Sequence, residues 1–256
     1  VEKLASQPPF SSLEKSDLIE WLKSAKRLKY GPGERLIRPD EINSDVSLVL
    51  AGSIRLIAIG EEEEGSFTLD KRGPGQLIGW TSLLRGAPSE FVIASTDVVV
   101  LSLPADNFVH FIREVPEFAV HFCRQSNQHE AYIVAVKSAE LQAKRSSNWR
   151  DGLLERVKQA RTSSLAKNTT LENLPELPTD WAWHLSTPDV PGVPVGTALL
   201  PSTEQLPERP GFLLPYRLVG LPKGVIPTPE VKPSELELVQ TASEIDNRPT
   251  DLQQLG

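Results

Sequence analysis

The chain has 256 residues, a net charge of −7 at pH 7 and one cysteine, Cys123. The negative charge disfavours nucleic acid as a partner, because that affinity rests largely on Lys and Arg side chains that neutralise phosphates. A single cysteine excludes an intrachain disulfide and a multi-cysteine metal site.

The sequence contains no P-loop, no nucleophile elbow and no recognisable pair of catalytic carboxylates. Its four histidines are scattered, which disfavours a metal site. The longest apolar runs, such as Val98 to Leu101, are too short to cross a bilayer. We therefore expect a cytoplasmic protein that is not an enzyme and holds no metal or cofactor.

The first predicted element is a short amphipathic helix in the stretch SSLEKSDLIEWLKSAK. Ser11 and Glu14 have the spacing of a capping box. Leu18, Ile19 and Leu22 fall on one face of the helix.

Seven short segments after this helix alternate apolar and polar residues or are mostly apolar. Turn signals such as Pro32-Gly33 and Gly73-Pro74-Gly75 separate them. The segments are ERLIRP, DVSLVL, SIRLIAI, SFTLD, QLIGW, FVIAST and VVVLSLP. Seven or eight strands of this length predict a sandwich or a jelly roll.

The periodicity changes to that of helices after Pro104. The stretch ADNFVHFIREV predicts about three helical turns, and a longer helix is predicted from Pro116. A 4-3 spaced stripe along the longer helix predicts packing on another helix, either within this domain or in a two-fold homodimer. The stripe includes Phe118, Phe122, Gln125, His129, Tyr132 and Val136.

Proline divides the chain, since fourteen of its 22 prolines follow residue 165. We expect a folded domain over 1–145, a short helix and connector over 146–165, and a Pro-rich extended segment over 166–256. The four large aromatic residues of that segment predict that it is docked. They are Trp181, Trp183, Phe212 and Tyr216.

This order of elements resembles the cyclic nucleotide-binding domain of the catabolite activator and ion-channel families, over about residues 10–145. The matching text includes LKYGPGERLIRPDEINSDVSLVLAGSIRLIAI and RGPGQLIGWTSLLRGAPSEFVIASTDVVVLSLPADNFVHFI. The resemblance implies a mainly β fold with flanking helices (α+β): an eight-stranded jelly-roll β-barrel with an N-terminal helix and a C-terminal helix pair.

The resemblance also places a phosphate-binding cassette in the stretch GWTSLLRGAPSEFVIA. In that family the cassette runs Gly-Glu, a short helix, then Arg-Ser/Thr-Ala, and its Arg grips the cyclic phosphate. Here the glycine is kept, but the other four positions hold Trp80, Ser89, Glu90 and Phe91. The candidate ligand-binding residues of this altered cassette are Gly79, Trp80, Thr81, Ser82, Ser89, Glu90 and Phe91.

The altered cassette leaves two possibilities open, a collapsed site without ligand or a changed ligand for which Arg55, Arg72 or Arg85 supplies the cation. The first possibility predicts a non-catalytic regulatory module joined to a downstream effector domain, an arrangement that resembles some bacterial exporters of the ATP-binding-cassette type. The second predicts a sensor of a small molecule or of a cyclic nucleotide. A transcription regulator is a third hypothesis, but no recognition helix can be placed after NWRDGLLERVKQARTSSLAKN.

Overall fold

The computed structural model describes residues 2–59, 65–141, 149–167, 169–199 and 205–223. Its first part is built from eight strands in two antiparallel sheets, with strand orders β1-β8-β3-β6 and β2-β7-β4-β5. The strands are β1 (Lys26–Tyr30), β2 (Arg35–Ile37), β3 (Asp45–Ala51), β4 (Ile54–Ile59), β5 (Ser66–Arg72), β6 (Leu77–Ile78), β7 (Val92–Ala94) and β8 (Val98–Pro104).

The two sheets cover each other, because one cluster of buried aliphatic side chains draws on both of them. Val49, Ile78 and Val100 come from the first sheet, while Leu56 and Val92 come from the second. The predicted jelly-roll arrangement with flanking helices is therefore confirmed. All seven predicted strands are present, and β1 is an additional strand that the periodicity did not indicate.

The described residues also contain seven α-helices. They are α1 (Glu2–Ala5), α2 (Lys15–Lys23), α3 (Trp80–Arg85), α4 (Ala105–Glu114), α5 (Pro116–Arg124), α6 (Gln128–Leu141) and α7 (Trp149–Gln159). None of the described helices is long and apolar enough to cross a membrane.

The predicted capping box of α2 is not formed. Ser11 lies in a 3-10 helix, Phe10–Ser12, and the side chain of Glu14 makes no capping hydrogen bond. The helix is held instead by its buried face, where Trp21 donates from Nε1 to the Pro104 carbonyl at 3.1 Å.

The predicted long helix is wrong, because it is broken between α5 and α6. The Asn127 side chain accepts hydrogen bonds from the backbone amides of His129 and Glu130, at 2.9 and 3.3 Å, in the manner of an N-cap. This local bond starts a new helix at Gln128, although the apolar spacing continues across the break.

Residues 166–223 differ from the predicted extended segment, because their strands join one strand of the predicted connector in a third antiparallel sheet, with strand order β11-β10-β12-β9. Its strands are β9 (Arg161–Leu165), β10 (Trp181–Leu185), β11 (Ala198–Leu199) and β12 (Tyr216–Pro222). The prolines stand in the connections or at a strand end, where they remove no central ladder bond. The part of the prediction that concerns residues 224–256 lies outside the described residues.

The third sheet packs on the rest of the chain. Val219 and Leu221 of β12 share a buried cluster with α6, with α7 and with Ala58 of β4. Among the aromatic residues predicted to be docked, Trp183 and Tyr216 are buried and Phe212 is partly buried.

Candidate functional site

The cassette singled out by the sequence connects β6 to β7 and contains α3. Gly79 precedes the helix at a φ of +87°, and Gly86 ends it at a φ of +67°. Glycine adopts this left-handed region without the steric cost of a side chain. Five of the six residues of α3 are buried, Trp80, Thr81 and Ser82 among them, so this helix presents little accessible surface.

Glu90 points into this closed loop, where it is 1% exposed. Its carboxylate accepts hydrogen bonds from the Gly79 amide at 2.7 Å, from Thr81 Oγ1 at 3.2 Å and from Asn127 Nδ2 at 2.5 Å. The backbone amide at the start of the cassette is therefore bonded to a carboxylate of the chain itself.

The pKa of Glu90 is raised, because burial outweighs the groups that favour its charged form. Burial raises the pKa of the Glu90 carboxyl, whereas Arg72 and the hydrogen bonds from Gly79, Asn127 and Thr81 lower it. Bonds from three donors are the compensation that a buried carboxylate requires.

Ser89 contacts an arginine of the same loop. Arg85 Nη1 donates to Ser89 Oγ at 2.7 Å, and Arg85 Nε donates to Ser186 Oγ at 2.8 Å. The Ser186 carbonyl also accepts from Arg85 Nη2 at 3.0 Å. Burial lowers the pKa of the Arg85 guanidinium, an effect that Glu130 counteracts. Arg85 is thus bonded to the third sheet rather than turned toward a ligand.

A second buried arginine extends this network. Arg217 of β12 is 1% exposed, and its Nε lies 3.1 Å from each carboxylate oxygen of Glu130. Its other nitrogens donate to the carbonyls of Phe122 and Gln125, both at 2.7 Å. Ser186 Oγ donates to Glu130 Oε1 at 2.8 Å. Arg85, Ser186, Glu130 and Arg217 therefore form one connected polar network, hereafter the buried network.

The two aromatic replacements of the cassette have different surroundings. Trp80 is fully buried, with Arg217 over its ring at 5.2 Å and the Phe122 ring at 5.2 Å. Phe91 is partly exposed, and its amide donates to His129 Nδ1 at 3.1 Å. Burial lowers the pKa of His129 to about 4, with Arg85 adding to the effect, so this ring is neutral at pH 7 and can accept that bond.

The connection between β11 and β12 contacts the C-terminal end of α3. Arg209 donates to the carbonyls of Arg85 and Gly86, at 3.3 and 3.2 Å. A Cβ at Gly86 would lie 2.7 Å from the Phe212 ring and 2.8 Å from Arg209 Nη1. A side chain at position 86 would therefore have to displace the Phe212 ring and the Arg209 guanidinium.

The other arginines considered as ligand cations are placed differently. Arg72 pairs with Asp70 at 3.0 Å. Arg55 is partly buried on β4, and its Nε has no hydrogen-bond partner among the described residues.

The residues of the predicted helix stripe do not form one continuous surface. Phe118 and Phe122 are fully buried in an aromatic cluster of the chain itself, and Gln125 lies in the break between α5 and α6. Tyr132 packs edge-on against Phe67 at 5.6 Å. His129 is bound to the cassette as described, and Val136 is packed against the α6–α7 cluster. The stripe residues therefore make contacts within the chain, and these contacts engage the side chains that a dimer interface would need.

Sequence analysis missed four residues of the site: Asn127, Glu130, Ser186 and Arg217. A signal existed for the last, because Arg217 is the one charge in the apolar run YRLVGLP. Nothing local in the sequence marks its partner Glu130, 87 positions earlier.

Among the residues that the structure describes, no group of three or more His, Cys, Asp or Glu side chains could hold a metal ion. A family model described as "Cyclic nucleotide-binding domain" matches residues 27–115, from β1 to the end of α4. No curated protein sequence matches this chain.

Solved structures give weak similarities. The regulatory subunit of a cAMP-independent protein kinase A from Trypanosoma brucei is 21% identical, with a TM-score of 0.42, over 48% of this chain and 46% of that one. This chain thus spans less than half of that protein.

Two bacterial structures align over more of the chain. The Thermus thermophilus catabolite activator protein is 19% identical, with a TM-score of 0.38, over 60% of this chain and 85% of that one. The sensor domain of the transcriptional regulator DNR from Pseudomonas aeruginosa is 11% identical, with a TM-score of 0.43, over 57% and 93%. These likenesses carry no information about function, and it is the match to the family model over residues 27–115 that confirms the resemblance.

Proposed function

We propose that this chain is a non-catalytic regulatory module whose cyclic nucleotide cassette is closed by its own side chains. The observation that carries the proposal is the buried Glu90 carboxylate, which holds the Gly79 amide at 2.7 Å. The module then acts through contacts with the rest of a larger protein and not through cyclic nucleotide binding in the usual pose.

A cyclic phosphate in this cassette would lose a favourable contact and meet a repulsive one. A missing charge-assisted hydrogen bond forfeits roughly 1.5–3 kcal/mol. A carboxylate about 4 Å from the phosphate adds repulsion of about 4 kcal/mol at an effective dielectric constant near 20. A combined loss above about 4 kcal/mol weakens binding by at least roughly a thousandfold.

Arg85 is not available as a replacement cation. Arg85 is the arginine of this loop, but its guanidinium is bonded to Ser89 and Ser186. Turning it toward a phosphate would leave the buried Ser186 carbonyl without this donor. These bonds favour the closed module over the alternative of a sensor that uses this cassette.

The parent protein is proposed on the resemblance alone. We infer that the module regulates an effector domain of the same polypeptide, such as an exporter of the ATP-binding-cassette type. A transcription regulator is disfavoured, because the described residues after α7 contain strands and one 3-10 helix, Leu171–Asn173, instead of a recognition helix. A homodimer stays a prediction and would need a surface other than the stripe.

Calorimetric titration of the full chain with cyclic AMP and cyclic GMP tests the proposal. We expect no binding heat at ligand concentrations up to the millimolar range, while a family member with an intact cassette serves as positive control. Micromolar binding of either nucleotide would refute the closed cassette and favour the sensor.

A further inference from the structure

Strand β1 lies at an edge of the first sheet, and one of its sides has no neighbouring strand. Within the described residues it pairs only with β8, in a register that runs from Lys26 opposite Ser102 to Tyr30 opposite Val98. Four of its five residues are exposed. In an antiparallel edge strand, every second residue directs its amide and its carbonyl away from the sheet. These backbone groups can pair with a further strand.

One face of β1 borders a cavity of about 590 Å³. Leu28 pairs with Val100, which is buried inside the jelly roll, so both side chains lie on the same face of the sheet. Leu28 is 37% exposed, and Ile42, which also lines the cavity, is 49% exposed. An apolar side chain of a strand added beside β1 would remove part of this apolar surface from water.

The opposite face of β1 is cationic. Arg27 and Lys29 alternate with Leu28 along the strand and therefore lie on the other face. Both are exposed, and neither forms an ion pair in the part of the chain that the structure describes. Asp97 lines the same surface depression as Lys29, which sets one carboxylate against two cations. This face therefore favours an acidic partner.

An extended segment that fits this edge has acidic residues on one face and apolar residues on the other. The stretch SELELV, residues 234–239, has this pattern, because its two glutamates alternate with its two leucines. These residues lie outside the described part of the chain. Glutamates opposite the cations and leucines on the cavity face would satisfy both faces of β1 in a single register.

The tether favours the chain's own segment over a second copy. Residues 224–233 connect it to the end of the third sheet, and ten extended residues span up to about 35 Å. A flexible connection of this length gives an effective concentration in roughly the millimolar range, far above the micromolar concentration of a second copy in solution.

From this juxtaposition we propose that the open edge of β1 is a docking site for an extended acidic segment, and that residues 234–239 of the same chain occupy it as a fifth strand of the first sheet. The two leucines of the segment then cover Leu28, and its two glutamates face Arg27 and Lys29. The proposal goes beyond the closed cassette and does not depend on it.

Hydrogen exchange of the full ¹⁵N-labelled chain tests the proposal. The amides of β1 that point away from β8 should be protected from exchange in the unmodified chain. In Glu235→Lys with Glu237→Lys they should exchange at least tenfold faster. Glu244→Lys with Asp246→Lys makes the same change of charge outside the segment and should leave the rates unchanged.

A charge exchange decides whether the glutamates of the segment meet the cations of β1. Arg27→Glu with Lys29→Glu should also lose the protection, and combining these two changes with Glu235→Lys and Glu237→Lys should restore it. Unprotected amides in the unmodified chain, unchanged rates in either charge-reversed variant, or no recovery in the combined variant would each overturn the proposal. Protection that disappears on tenfold dilution would assign the segment to a second copy and overturn it as well.

Discussion

All three sheets are four-stranded and antiparallel, but the side chains that the first two bury differ from those that the third buries. The first two cover each other through aliphatic side chains such as Leu56 and Val100. The third brings Ser186 and Arg217 to a buried carboxylate and an α-helix break of the first part. The first part thus contains the loop around α3, whereas the part of the chain that follows contributes polar groups that contact this loop.

This comparison is tested most severely by removing the arginine that joins the two regions. Arg217→Met leaves the Glu130 carboxylate, which is 0% exposed, without its ion-pair partner. We expect a loss of about 3–5 kcal/mol in the free energy of unfolding, measured by urea denaturation.

Two matched variants control for other causes of that loss. Arg113→Met changes an exposed arginine and should stay within about 0.5 kcal/mol of the unmodified chain. Adding Glu130→Leu to Arg217→Met removes the uncompensated charge and should recover part of the loss. If Arg217→Met costs less than about 1 kcal/mol, the third sheet does not close the cassette in the way described.

The pH dependence of stability sharpens the comparison, because each region contains one buried histidine. The pKa values of His129 and His184 are lowered from 6.5 to about 4, chiefly by burial. Between these values the unfolded chain binds more protons than the folded one, so stability falls as the pH falls from about 6.5 to about 4. Each histidine contributes about 3 kcal/mol to this loss.

Glu90 acts in the opposite direction, since its pKa is raised and the folded state therefore gains from its protonation. Urea denaturation between pH 7 and pH 4.5 measures the net change in stability that the two histidines and Glu90 produce together. His129→Gln and His184→Gln should each flatten the profile, and a wild-type stability that does not change over this range would contradict the burial of both rings.

A smaller effect is expected from a methyl group at the contact between the regions. Gly86→Ala adds a Cβ at a left-handed φ and within 2.8 Å of Arg209 and Phe212. Gly33→Ala is the matched control, because its φ is +84° but no atom lies within 4 Å of its Cβ.

The conformational strain, about 1–2 kcal/mol, is common to both alanine variants. We expect Gly86→Ala to cost about 1 kcal/mol more than Gly33→Ala, by urea denaturation. Equal losses in stability would show that Arg209 and Phe212 do not resist a methyl group at position 86.

The sequence predicted the jelly roll because its strands alternate and its turns carry glycine. It missed β1, whose sequence KRLKY is mostly exposed and carries no alternation. It missed the break at Asn127, because a single side-chain bond ends a periodicity that the apolar residues continue. The third sheet was not predicted, because the high proline content indicated an extended segment. These prolines stand between the strands or at a strand end.

The candidate site was predicted in part. The replacement of the family's Arg and Ser/Thr by Ser89 and Glu90 was visible in the sequence, and so was the prospect of a carboxylate inside the cassette. That this carboxylate turns inward depends on Asn127, 37 positions away, and the closure by Arg217 depends on the third sheet. Such long-range partners cannot be inferred from the spacing of one sequence.

Hydrogen exchange of the cassette amides, with and without 1 mM cyclic AMP, tests the central claim most directly. The amides of Gly79, Ala87 and Phe91 are bonded to Glu90, to the Ser82 carbonyl and to His129. We predict that they exchange as slowly as those of β3 and β8, and that cyclic AMP leaves their rates unchanged. Rapid exchange that slows when cyclic AMP is added would show an open, ligand-binding cassette and contradict the account.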